Sequence, residues 1–119
     1  MYTNELEYLG QKHVKHFVGV FPLDKIPSHI CPTSRLIINT DTHNLGGKHW
    51  IALSFEKGGI VLAFDPLGFF YPQILINKLY NNPMVKRVHF NRKMIQMPWE
   101  KTCGQHCIKF LKSLSINNN

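Results

Sequence analysis

Long apolar runs are missing from this 119-residue chain. No stretch approaches the eighteen or more residues that a membrane span requires. The opening MYTNELEYLG is polar and acidic, which is unlike the apolar centre of a secretory leader. Together these predict an intracellular protein with no membrane association. Cysteine is also scarce. Cys31, Cys103 and Cys107 form an odd set with no CxxC spacing, too few for a disulfide scaffold in a chain this short. Acidic residues are half as numerous as basic ones, seven against fourteen, giving +7 with histidine neutral. Such an excess suits a polyanion such as nucleic acid, or serves solubility alone. Internal repeats and linkers are absent, so one domain is expected over residues 1–115, with a frayed tail at 116–119.

What remains is 44% apolar, with eight Phe, four Tyr and two Trp, enough for one compact core. Thr3 to Val14 reads as a short helix with acidic residues in its first turn. Pro22, Pro27 and Pro32 predict an irregular crossing from Gly19 to Thr33. Arg35 to Asn39 is a short apolar strand. Lys48 to Phe55 alternates, with His49, Ile51, Leu53 and Phe55 on one face and Trp50, Ala52 and Ser54 on the other. Ile60 to Phe64 follows a Gly-rich loop and completes a hairpin. Pro72 opens a helix that Asn81-Asn82-Pro83 stops. Val85 to Asn91 alternates again, and a last helix runs from near Cys103 through Leu114. Strands in the middle with helices around them predict an α+β fold.

Two local patterns carry chemistry. If the hairpin loop is Glu56 to Gly58, His49 falls directly opposite Asp65; a four-residue loop shifts the pairing by one. A carboxylate beside histidine fixes its tautomer and stabilises the imidazolium, as a catalytic base requires. The plainer alternative is a histidine on a strand end beside a turn aspartate. The second pattern is Thr102-Cys103-Gly104-Gln105, which matches a capping box with Thr102 as N-cap. Cys103 then occupies the first helical position, where unpaired N–H groups and the helix dipole favour a thiolate. Gly104 leaves the backbone beside the sulfur uncrowded, and the neighbouring N–H groups can donate to an oxyanion. Cys107, one turn deeper, should be packed and protonated, and an i, i+4 disulfide suits neither residue. A zinc site from His43, His49, Cys103 and Cys107 matches no familiar spacing, so no metal is expected.

His49-Trp50, then Phe64-Asp65-Pro66-Leu67-Gly68, then Gln96, then Thr102-Cys103-Gly104, in that order, resemble the adenovirus endoprotease (adenain) family. Asn39-Thr40-Asp41-Thr42, the Gly46-Gly47 pair and Phe17-Val18-Gly19-Val20 are similar to further family segments, so the resemblance runs from near the N-terminus to Leu114. It implies a papain-like core in rearranged order, with Cys103 as nucleophile, His49 as base, Asp65 orienting it in place of the glutamate common in adenoviruses, and Gln96 in the oxyanion hole. One such donor lowers a barrier by roughly 3 kcal/mol. Gly46, Gly47, Trp50 and Gly104 would bind substrate. The implied activity is cleavage of viral capsid or core precursors near small residues such as Gly-Gly, by a monomer in the host nucleus or virion.

Adenoviral members continue well past the catalytic helix, so this shorter chain points to a small DNA virus or virus-like transposon. Those members are activated by a disulfide-held peptide. No cysteine lies between Cys31 and Cys103 here, so an activating peptide is expected to add noncovalently as a strand. DNA is a second expected cofactor, because Lys78, Lys86, Arg87, Arg92, Lys93 and Lys101 follow the hairpin. Ubiquitin-like-protein proteases share the same residue order and are the first alternative. A catalytically silent, basic DNA-binding virion protein is the second.

Overall fold

The computed structural model describes residues 3–27, 31–40, 49–68, 71–94 and 103–117. Their elements follow the chain as α1 (Thr3–His13), β1 (Phe17–Pro22), a short 3-10 turn (Leu23–Lys25), β2 (Arg35–Asn39), β3 (Trp50–Glu56), β4 (Ile60–Phe64), α2 (Gln73–Asn81), β5 (Arg87–Phe90) and α3 (Cys103–Asn117). The helix α3 therefore continues through Ile116 and Asn117, the first two residues of the segment expected to fray.

The five strands lie side by side in chain order. β1 and β2 are parallel, β2–β3 and β3–β4 antiparallel, and β4–β5 parallel. Such a mixed sheet with three helices is the α+β fold expected. Helices cover both faces. On one, Leu6 of α1 and Cys107, Ile108 and Leu111 of α3 pack with Val20, Ile37, Trp50, Ala52 and Phe64. On the other, Leu75 and Leu79 of α2 pack with Leu36, Ile38, Ile51, Leu53, Val61 and Val88. The alternation in β3 thus separates two cores, not core from solvent, and six of its seven residues are buried.

The sequence expectation fails at two places. Phe17–Pro22 is a strand where the prolines pointed to an irregular crossing. It can be one because β1 is an edge strand and Pro22 is its last residue, where a missing N–H breaks no ladder bond. The hairpin loop also begins later than Glu56. Glu56 pairs with Ile60, and Lys57-Gly58-Gly59 makes the turn with both glycines at positive φ, 80° and 78°. Pairing consequently slides by two residues from the register that set His49 directly opposite Asp65.

Candidate active site

β4 ends because of Pro66. A residue before proline is held extended, and proline itself cannot donate to a neighbouring strand. The chain turns at once, with Gly68 N–H donating to the Asp65 carbonyl at 2.8 Å and Leu67 N–H donating to Asp65 Oδ1 at 3.0 Å. Gly68 has φ of 83°, a conformation that favours glycine. Its missing side chain also matters, since a Cβ there would lie 2.8 Å from the carbonyl carbon of Lys93.

His49 stands one residue before β3. Thr40, just past β2, donates to its carbonyl through N–H at 2.9 Å and through Oγ1 at 3.2 Å. In the observed register Asp65 is the diagonal neighbour of His49 on the same side of the hairpin, a distance that side chains span. They meet: His49 Nε2 and Asp65 Oδ1 are 2.6 Å apart, at 4% and 0% exposure. With Nε2–H given to the carboxylate, Nδ1 is the ring nitrogen at which a neutral His49 accepts a proton.

Cys103 is the first residue of α3, and its side chain lies near enough to the His49 ring to help raise its pKa. One turn later Cys107 donates from Sγ to the Trp50 carbonyl at 3.4 Å, fastening α3 to the residue after His49. Burial alone would lower the His49 pKa, but hydrogen bonds to Asp65 and Cys103, with their charges, raise it to about 9. Burial pushes the Cys107 thiol well above its usual range, with the Cys103 charge adding to the effect. The arrangement brings together a thiol at a helix start, a buried imidazole and a buried carboxylate that favours the imidazolium.

A family profile describing the adenovirus endoprotease matches residues 14–118. The chain belongs to the adenovirus endoprotease family. Its similarity to individual family members is moderate. It is 31% identical to the protease of Bovine adenovirus C serotype 10, over 85% of this chain and 55% of the relative. It is 37% identical to the protease of Ovine adenovirus D serotype 7, over 80% and 54% respectively. With the protease of Fowl adenovirus A serotype 1 the identity is 27%, over 93% and 61%. The chain spans about half the length of the curated adenovirus proteases it matches.

Of the residues singled out in the sequence, His49, Asp65 and Cys103 come together here, and Gly104 is buried in the first turn of α3. Trp50 is 2% exposed and belongs to the core on the α1 and α3 side of the sheet. Gly46, Gly47, Gln96, Thr102, Lys101 and His43 lie outside the described residues. Among the described residues, no three His, Cys, Asp or Glu side chains cluster as metal ligands. No described helix is long and apolar enough to cross a membrane.

Tyr71 and Asn91 also reach the site and have no signature in the sequence. Asp65 N–H is shared between Asn91 Oδ1 at 2.7 Å and the Tyr71 hydroxyl at 3.1 Å. An asparagine after a strand and a tyrosine after a turn are ordinary neighbours of loops, and only the parallel β4–β5 pairing shows what they reach.

Proposed function

We propose that this chain is the catalytic core of a viral cysteine endopeptidase. Cys103 attacks the scissile carbonyl, His49 takes the thiol proton and later returns it to the leaving amine, and Asp65 holds His49 in place. The supporting observation is the buried 2.6 Å contact between His49 and Asp65, reached by Cys103 from the start of a helix. Gln96 joins this scheme through its place seven residues before Cys103, as the fourth member of the family motif. Its side chain and the backbone N–H groups near Cys103 would receive the oxyanion.

The substrates are viral capsid or core precursors cut near small residues such as Gly-Gly, with Gly46, Gly47 and Gly104 lining the approach. The enzyme acts as a monomer inside the infected cell, in the nucleus or the maturing virion. Exposed Lys78, Lys86, Arg87, Arg92 and Lys93 supply a surface for DNA, and an activating peptide adds as a strand without a disulfide. Binding through that surface weakens steeply with salt, which separates a DNA cofactor from a merely solvated face.

A thiol-reactive active-site probe at neutral pH tests the scheme. With exposed Cys31 replaced by serine throughout, labelling of Cys103 that is lost in Cys103→Ser and absent from buried Cys107 is the expected result. Full labelling of Cys103→Ser, or peptide cleavage retained by His49→Ala, overturns it. Turnover on virion precursor peptides against fusions to ubiquitin-like modifiers decides the substrate class, and efficient cleavage of the modifiers alone would reverse that part.

A further inference from the structure

Parallel pairing of β4 and β5 ends with Asn91 N–H donating to the Ala63 carbonyl at 3.0 Å. Just beyond that point the Asn91 side chain pairs with both backbone polar groups of Asp65. Asn91 Oδ1 accepts from Asp65 N–H at 2.7 Å, and Asn91 Nδ2 donates to the Asp65 carbonyl at 3.0 Å. The side-chain amide therefore stands in for one more peptide of β5 and adds a rung to the sheet. Its orientation is dictated by its neighbours: Nδ2 also donates to the Lys93 carbonyl at 3.2 Å, so reversing the amide would set oxygen against two carbonyls.

Tyr71 locks this rung. Its hydroxyl lies 2.9 Å from the Asn91 carbonyl and 3.2 Å from the Ala63 carbonyl, touches Asn91 Oδ1, and accepts from Asp65 N–H. Its ring packs edge-on against Phe90 with centroids 4.8 Å apart.

We propose that Asn91 is the positioning residue of the site, clamping the Asp65 backbone from both sides with Tyr71 as its brace, so that the carboxylate stays aimed at His49. The inference rests on the protease reading for its effect on rate, but not for its effect on geometry. Pro66 and the turn set the C-terminal side of Asp65, and Asn91 restrains its N–H and its carbonyl together. Through the Lys93 carbonyl, the same amide holds the chain leaving β5 against Gly68, three residues before Gln96.

Asn91→Ala and Tyr71→Phe test this, with Val88→Ala as a control that empties core volume under β5 without touching Asp65. NMR titration of the His49 ring is the first readout. Asn91→Ala is expected to lower the His49 pKa by about one unit, a tenfold weaker hold on the proton. Tyr71→Phe, which keeps the ring, should shift it less and in the same direction, and Val88→Ala should leave it in place. Peptide cleavage is the second readout, with kcat falling about tenfold in Asn91→Ala at little-changed KM. An unchanged His49 titration in Tyr71→Phe and in folded Asn91→Ala overturns the proposal, as does an equal shift in Val88→Ala. A shifted titration in a protein that cleaves nothing keeps the clamp and removes the protease reading instead.

Discussion

At the scale of single residues the decisive balance is at His49. Its burial opposes charge, and the hydrogen bonds and charges of Asp65 and Cys103 overcome that opposition to raise the pKa to about 9. In Asp65→Asn burial keeps its full effect while the carboxylate's support is gone, so the ring should titrate well below 9 by NMR. The same balance makes stability depend on pH. The folded pKa lies above the unfolded value of 6.5, so the stabilisation is complete below pH 6.5 and is lost as pH rises to about 9. A displacement of that size corresponds to about 3 kcal/mol, and urea midpoints on either side of the window measure it. Gly68 gives a second residue-scale expectation. At φ of 83°, and with the Lys93 carbonyl oxygen 2.9 Å from where a Cβ would sit, Gly68→Ala should cost more than about 1 kcal/mol in chemical denaturation.

Among the elements, α1 shows how a helix can need a residue that helices disfavour. Gly10 lies under the Phe17 ring of β1, which would come within 2.2 Å of an added Cβ. Alanine has the better helix propensity by about 1 kcal/mol, but overpacking costs about 1–3 kcal/mol, so Gly10→Ala should lower the thermal midpoint. Elements with strong periodicity were legible in the sequence. β2 spans Arg35–Asn39 as read, α2 stops at Asn81, and α3 starts at Cys103. β1 was not legible because proline and glycine advertise irregularity, and only its place at the sheet edge makes them harmless. The hairpin register was misjudged because the turn follows the two positive-φ glycines and not the polar Glu56 before them. Proximity of His49 and Asp65 survived that slip, since a diagonal pair on one face still meets. The Asn91 clamp was beyond reach of any local pattern, being made by residues 26 positions apart.

For the whole molecule, the two cores share the central strands β2 and β3, so neither can melt while the other stays intact. Leu111→Ala on one side and Leu75→Ala on the other should each cost about 2–5 kcal/mol and shift one common transition. A calorimetric enthalpy equal to the van't Hoff value would accompany this, and two separate transitions in either variant would count against it. The order of the sheet has a temporal consequence as well. Since strands β1 to β5 sit side by side in the order in which a ribosome delivers them, each new strand finds its neighbour already made. His49 and Asp65, 16 positions apart, can meet as soon as the hairpin has emerged. Cys103 arrives only with α3, and closing its longer loop costs about 1 kcal/mol more. A nascent chain thus carries its acid–base pair before its sulfur, and the thiol is born directly into the partner that would arm it.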